Sequence, residues 1–568
     1  MRVLRWFGRL LIPLAVAAAL VVDGRIDRTP SAEAAIEELG TLTQIEVPSP
    51  SALTSSWFCP VVGMRAMMPG FGETASELVL TNMTETSVSV SVELRGRTAG
   101  RQFVTADVAP LSTGVVNISD HARDEIIGAL VEATSGGLAV TRRFTSPLGM
   151  DEARCSSVLA PSWYVPVGDT QADALGVIAI MNPLPRDAIV DLAFATDAEF
   201  GPFVVPALTG VVVPAWSTVA VNVGEHARRR DVVAASVHAR TGRIAVDSFV
   251  SYDGSVGRRG FAAELGSVSL SENWLVPLAG IDNTTHVTLR VFNPSDEVAQ
   301  IAARVKVAGS DGDRVALAVA SHDVLEVTVE SPSGRAPGLD ALFAPPGAPF
   351  GISVAGQNGV PFVVWAETLI GSAARPLADI PAASDPADDA AEASAGSSVT
   401  VVAQTGETSD DASDDAAPAV GAPGDASSSG DPSGEFESVA AETPPPVLTA
   451  QSGLATVPGI GRMRKRWLVV VPAEAGAETF LTIMRDPSPL GGDAAEAPDG
   501  AAADGRVLVG TLGGETVAAV DVPASGVVTH RLASGSTRLV VSDVPFGALL
   551  WQSRTNGSGL SVAHPMGW

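Results

Sequence analysis

Two stretches of this chain set an acid beside a histidine: Asn117-Ile118-Ser119-Asp120-His121-Ala122-Arg123 and Asn222-Val223-Gly224-Glu225-His226-Ala227-Arg228. A carboxylate next to an imidazole can orient the ring for acid–base work or for a metal. His121 and His226 fall in different copies of a repeat, so one shared centre requires them to meet across a boundary. The plainer role is a loop with a short helical turn, the acid as its N-cap and the Arg on the surface. Two later copies carry Thr328-Val329-Glu330-Ser331 and His530-Arg531-Leu532-Ala533 at this place, so the motif is not general.

Three other groups of residues have chemical potential. Arg228-Arg229-Arg230 and Arg462-Met463-Arg464-Lys465-Arg466 can grip phosphate-bearing or acidic polymers, because guanidinium groups bind such anions bidentately. The second cluster borders an acidic tract, and pairing within the chain is its simpler use. Trp216 stands in a turn, VPAWST, whose counterparts contain Ser112, His322 and Ser525. An unshared Trp in a turn is a candidate stacking platform. Cys59 and Cys155 are the only cysteines, which rules out a cysteine metal cluster and a disulfide-dense scaffold. No nucleophile elbow, H-E-x-x-H, phosphate loop, dinucleotide fingerprint or C-x-x-C is present. No cofactor is implied. Carboxylate pairs that cleave glycosides come from distant strands and leave no spacing to read.

The elements that must hold these residues recur. A Trp opens a short apolar strand at Trp57, Trp163, Trp274 and Trp467. A polar turn follows at Asn182-Pro183, Asn293-Pro294 and Asp486-Pro487, at one spacing from the Trp, and at Asn82-Met83 a little farther on. A third block starts at Val108, Val213, Val319 and Val522, and a last apolar strand carries Phe144, Phe249, Trp365 or Trp551. Landmarks repeated in one order mean repeated structural units. Their fixed Trp residues read as core.

Within a copy, polar and apolar residues alternate, as from Ser87 to Leu94, which is strand periodicity. Gly, Pro, Asn and Asp punctuate these runs, as in antiparallel strands joined by turns. A copy of roughly 100 residues with about seven strands has the size of an immunoglobulin-like sandwich. Such a copy can bury its own core, so the expectation is four independent beads; two larger sandwiches, each made of two copies, are the rival arrangement.

Residues 1–22 carry Arg2, Arg5 and Arg9 before an apolar run, the pattern of an export signal or of a retained anchor helix. Either places the remainder outside the cytoplasm, the anchor as a single-pass protein and the cleaved signal as a secreted one. The expected divisions are a stalk at 23–55, sandwiches at 56–160, 161–270 and 271–374, a linker at 375–461 and a last sandwich at 462–568. No Lys or Arg lies between Arg375 and Arg462, while fifteen acids occur from Asp379 to Glu442, more than half of the net charge of −28. Such a tract is expected to be disordered and extended. The acidic balance disfavours nucleic acid as a partner. Cys59 and Cys155 flank the first copy, and in an oxidising compartment they are expected to pair; two free buried thiols are the alternative.

The export segment, the Trp-x-x-Pro strand, the Asn-Pro turn and the Ala/Asp/Pro tract together resemble an uncharacterised actinobacterial family of exported, membrane-tethered β-rich proteins of unknown function. The Asn-Pro turn with alternating strands also looks like bacterial immunoglobulin-like adhesion and spacer modules. The resemblance implies a cell-envelope location and transfers no catalytic residue. The expected fold is all-β: four tandem immunoglobulin-like β-sandwich repeats behind an N-terminal signal or transmembrane helix, with a disordered acidic linker. The expected function is a non-enzymatic scaffold or adaptor for envelope proteins or glycans. The alternatives are a carbohydrate-binding protein using Trp216 and a hydrolase using the Asp120-His121 and Glu225-His226 pairs.

Overall fold

The computed structural model describes residues 47–64, 75–96, 100–121, 126–198, 202–278, 280, 285–307, 310–330, 342–345, 347–371, 453–458, 460, 464–471, 477–485, 505–523, 525–533, 537–554, 560–563 and 566–567. The export segment 1–22, the Asp486-Pro487 turn and the body of the acidic tract lie outside them. Among the described residues no helix is long and apolar enough to cross a membrane.

The described chain is all-β, with three single-turn 3-10 helices. Its first sandwich shows the plan, with strands Ser55–Met64, Ala75–Asn82, Val88–Gly96, Arg101–Val108, Ser112–Asn117, Ile126–Ala133, Leu138–Ser146 and Gly149–Arg154. They form two sheets, ordered first-sixth-third-fourth and fifth-second-seventh-eighth. Sandwiches two and three repeat both orders. The second splits its fourth strand into Phe203–Val204 and Val211–Val213, and the third adds Leu342–Phe343 beside its fifth. In the fourth, the sixth and seventh strands run on as one, Arg538–Arg554, which belongs to both sheets. The order is not that of an immunoglobulin constant domain, whose first strand pairs with its second. Here the first pairs with the sixth, and the second with the seventh.

The sequence landmarks are explained by this frame. Trp57, Trp163, Trp274 and Trp467 each face a valine of the sixth strand: Val131, Val237, Val354 and Val540. All four are buried. Three of them donate the indole N–H to a backbone carbonyl near the start of the seventh strand: Trp163 to Ile244, Trp274 to Phe362 and Trp467 to Phe546. Asn82 donates its amide to the carbonyls of Thr86, Val108 and Ala109, and Asn182 and Asn293 make the same set with Arg186, Val213 and Pro214, and with Glu297, Val319 and Ala320. Each is a buried clamp that ties the turn after the second strand to the end of the fourth. Arg485 stands at this place in the fourth sandwich and reaches the carbonyl of Val522. The aromatics of the last landmark are less regular. Phe249 pairs with Val177 and Trp551 with Phe480, the same step back from Asn182 and Arg485, whereas Trp365 pairs with Arg290 and Phe144 with Ser76.

Cys59 and Cys155 are joined in a disulfide across a sequence separation of 96. On the loop-entropy account that cross-link stabilises the first sandwich by about 4–5 kcal/mol at most. The end of the expected stalk is not free. Val47 belongs to the first core, and the backbone N–H groups of Gly136 and Gly137 donate to the carbonyls of Ala52 and Pro48.

Independent beads are not what forms. The first sheet of each sandwich packs on the second sheet of the next: one on two, two on three, three on four. The fourth then closes on the first, where Leu468 and Met566 enter the first core cluster and Thr113 meets the Thr537 hydroxyl at 2.8 Å. The eighth strands gather at the centre, with Arg259–Leu265 touching Gly149–Arg154 and Gly453–Pro458, and Leu560–Ala563 touching the same two from the other side. The physical reason is that the seventh strands are apolar or buried on both faces, as in Ala245–Asp253 and Val363–Ile370, and a sheet of that kind needs a cover on each side.

One boundary also moves. The eighth strand of the third sandwich is Gly453–Pro458, which runs antiparallel to Val363–Ile370 with Ile370 opposite Gly453 and Trp365 opposite Pro458. The tract expected to link sandwiches three and four therefore begins and ends within the third. It is an insertion at the tip of one hairpin.

Candidate functional site

The four sandwiches meet through one recurring contact. At the turn between the fourth and fifth strands, Leu111, Trp216 and His322 all have left-handed backbones, with φ of 49°, 58° and 55°. Each donates its N–H to the turn that follows the second strand, at the carbonyls of Thr84, Leu184 and Ser295. The outer end of the preceding sandwich's third strand comes up against this turn. Arg95 of the first sandwich lies 4.7 Å from the centroid of Trp216 in the second. Ala195 of the second packs into the core cluster of the third. Lys306 of the third donates from Nζ to Ser525 Oγ of the fourth at 3.1 Å. Leu512, at this place in the fourth, adjoins the first, where a Cβ on Gly513 would lie 4.0 Å from Leu111 Cδ1.

Trp216 is thus a joint residue as well as a surface one. The residue is 39% exposed, with Arg95 against its ring and Arg101 at 5.8 Å. Arg101 also lies 5.5 Å from the ring of Phe103, which is 63% exposed. Glu93 holds both guanidiniums, Arg95 at 2.6 Å and Arg101 more closely still. Burial pulls the Glu93 carboxyl up, but the hydrogen bonds from Arg101 and Arg95 outweigh it and keep it below the usual carboxylate range. The result is a rim patch of two exposed aromatics around one accessible guanidinium, over a buried Glu–Arg base. Aromatic faces bordered by planar polar groups suit stacking against a sugar or another ring.

Nearer the eighth strands the first two joints are charged and buried. Arg142 Nη1 donates to Asp247 Oδ2 across the first joint, and neither side chain has any solvent exposure. The backbone N–H of Val61 donates to the same oxygen at 3.1 Å, and that of Ala263 donates to Asp151 Oδ2 at 2.6 Å. Burial pushes the Asp151 carboxyl up to about 8 and the Asp247 carboxyl up to about 6, the latter against the pull of Arg142. Phe144 meets Phe249 edge-on at 6.1 Å, and Phe249 stacks on Phe261 at 5.4 Å. At the second joint the Tyr252 hydroxyl sits 3.0 Å from Asp169 and 3.2 Å from Glu367, Arg258 caps its ring at 4.1 Å, and Arg290 donates to Glu367 at 2.8 Å. The third joint needs Gly351, since a Cβ there would lie 2.3 Å from Met484 Sδ. The fourth leaves a cavity of about 620 Å³ between Val79, Val115 and Arg143 on one side and Val471 and Leu512 on the other.

The acid–histidine pairs occupy matching 3-10 turns. Asn117 and Asn222 are the N-caps, accepting from the backbone N–H of Ser119 and Gly224, and His121 and His226 are the C-caps. The capping role expected of the acid belongs to the asparagine. Asp120 and Glu225 are exposed, and the Glu225 carboxylate accepts from Asn222 Nδ2 at 3.2 Å. His121 is exposed and His226 partly covered, its basicity lowered by burial. The first turn packs on strands Ser55–Met64 and Ala75–Asn82, the second on Ala174–Asn182, so each stays on its own sandwich. Arg228 and Arg229 point to solvent while the backbone from Arg229 to Arg230 is tied to Thr170. Arg464 and Arg466 lie on the opening strand of the fourth sandwich, opposite Phe546 and Val541. Among the described residues no group of three or more His, Cys, Asp or Glu is placed to hold a metal.

No protein-family model and no curated protein matches the chain. The residues that sequence reasoning missed are Glu93, Arg95, Arg101 and Phe103 around Trp216, and Arg142, Asp151 and Asp247 at the centre. The signal was present in one case: Asp247 stands between the apolar Ile244-Ala245-Val246 and Phe249-Val250, where a charge has no place unless it is paired.

Proposed function

We propose that this protein is a non-enzymatic, exported cell-envelope scaffold or adaptor, built from sandwiches of immunoglobulin-like size and kin to the membrane-tethered β-rich family that its sequence resembles. The observation that carries this reading is the use made of its reactive-looking residues. The recurring Asn and Trp side chains are spent on clamps and cores, and the central carboxylates and guanidiniums on joints. Among the described residues what reaches solvent is a set of turns on a packed frame, and the sequence adds a long acidic insertion to that frame, which is the layout of a presentation device. Its partners are envelope proteins or glycans, and residues 1–22 hold it at the membrane outside the cytoplasm. Proximity labelling from intact cells tests this: enrichment of envelope-polymer enzymes supports it, and labelling of cytosolic proteins alone removes it.

A second reading, glycan binding, is favoured by the exposed pair Trp216 and Phe103 with Arg101 between them. Glycan-array binding by the purified protein that disappears in Trp216→Ala supports it. Binding unchanged in that variant places the sugar elsewhere.

A further inference from the structure

The third sandwich is completed by a strand from beyond the acidic insertion. In the other sandwiches the seventh and eighth strands are joined by short connections, from Ser146 to Gly149, Asp253 to Arg259 and Arg554 to Leu560. In the third, Ile370 and Gly453 stand opposite each other as hairpin partners with the whole tract between them. We infer that Gly453–Trp568 is held in the molecule as a separable subunit, docked by strand addition to Val363–Ile370, so that a chain cut within the insertion remains one particle.

This goes beyond the scaffold reading and does not depend on it. Strand addition to an open sheet edge is a general way for one chain to hold another. Every register pair from Trp365/Pro458 to Ile370/Gly453 joins a residue before the insertion to one after it, so any such cut leaves the pair in place. Leu454, Ala455 and Val457 are buried on the strand that would be donated. Just past it, Leu275 and Ile460 exchange both backbone hydrogen bonds, at 3.0 and 2.7 Å, which adds a second backbone lock on the opening strand of the third sandwich. Further faces hold the same piece: the third sandwich's first sheet against Ala477–Arg485, the second sandwich's Arg259–Leu265 against Gly453–Pro458, and the first sandwich at Gly149–Arg154, Thr113 and Leu111. A cut within the insertion breaks no ladder bond among the described residues. It removes only a tether, whose effective concentration falls as its length grows. The insertion has no Lys or Arg between Arg375 and Arg462, so proteases specific for basic residues pass over it, whereas those that accept acidic or small residues find many sites. Such a cut is simple hydrolysis: water adds across one peptide bond, leaving a carboxylate on the first piece and an ammonium on the second.

The test uses the full chain with a sequence-specific protease site replacing part of the insertion. After cleavage, denaturing electrophoresis shows two pieces. Size exclusion at micromolar concentration is expected to show one peak at the uncut elution volume, with a melting temperature that rises with protein concentration, as for a dimer. Separate peaks for the two pieces overturn the inference. Ala455→Asp, which puts a charge on the buried face of the donated strand, is expected to release the second piece after the cut while the uncut variant keeps its strand signal. Retention of that piece by cut Ala455→Asp overturns strand addition as the lock. If that variant fails to fold uncut, the milder Leu454→Ala takes its place, read as at least a tenfold weaker association of the cut pieces.

Discussion

At the junction of sandwiches one and two the third strand carries Arg95 next to its end, laid on Trp216, and farther in Arg142 and Asp247 pair with no exposure to water. At the junction of four and one the matching position, just past the strand Gly505–Gly510, is Leu512, which lines a cavity of about 620 Å³ together with Leu111. The backbone contact is shared and its filling is opposite. The repeat fixes where the sandwiches touch, and the side chains fix how exacting each touch is. A buried ion pair adds little net stability but penalises misalignment, because either charge left alone in the interior is costly. An aliphatic contact around a cavity tolerates small shifts. The first junction therefore acts as the precise one, and the last as the compliant seam at which the closed arrangement is completed.

The largest expected effect tests that contrast directly. Arg142→Leu leaves Asp247 buried without its partner and should lower stability by about 3–5 kcal/mol, read from the urea midpoint at constant slope. Adding Asp247→Leu should restore most of the loss. Leu512→Ala at the compliant seam should lower stability by about 1 kcal/mol. Equal losses at the two sites would break the comparison.

A pH series sharpens it. Asp151 and Asp247 both have folded carboxyls raised above the unfolded range, by burial first, with Glu264 adding to each and Arg142 opposing. Native carboxyls of this kind bind more protons than the unfolded chain does, so their contribution is fully present below about pH 4 and is lost as pH rises through the folded values. The precise junction should weaken from pH 4 to about 6 as Asp247 ionises and onward to about 8 as Asp151 does. In Asp151→Asn the urea midpoint between pH 6 and 8 should be flatter. An unchanged slope would remove Asp151 from the account.

Much of this frame was legible in the chain. The Trp residues and the Asn turns are written in residue types with one favoured structural use, and those positions superpose strand for strand. The closed arrangement was not legible, because alternation reports that one face of a strand is buried and does not say against what. The runs Gly176 to Met181 and Val363 to Ala366 carried a hint, being apolar on both faces, as doubly covered sheets are. The charged joint was hidden for a different reason. Arg142 and Asp247 are far apart in sequence, and although the apolar residues around Asp247 ask for a partner, nothing local says that it is Arg142. The end of the acidic tract is not legible because Gly453-Leu454-Ala455-Thr456-Val457-Pro458 is too short to be told from the low-complexity residues before it. Composition marks where a tract starts more clearly than where a six-residue strand ends it.

The smallest effect concerns the backbone that both junctions share. Leu111 and Trp216 hold left-handed φ values of 49° and 58°, a conformation that disfavours a Cβ by about 1–2 kcal/mol. If the turn itself demands that geometry, the side chain is tolerated for what it touches. Leu111→Gly loses the contact at the compliant seam and relieves the backbone, while Leu111→Ala loses the contact and keeps the strain. Leu111→Gly should therefore be more stable than Leu111→Ala by about 1 kcal/mol, the reverse of the order expected in an ordinary strand. At Trp216 the same comparison should also favour Gly over Ala. Both variants there should fall below wild type, by about 0.5–2 kcal/mol for the lost stacking on Arg95. If Leu111→Gly lost as much as Trp216→Gly, the seam contact would be as exacting as the cation–π joint, and the contrast between the two junctions would lie only in the Arg142–Asp247 pair behind them.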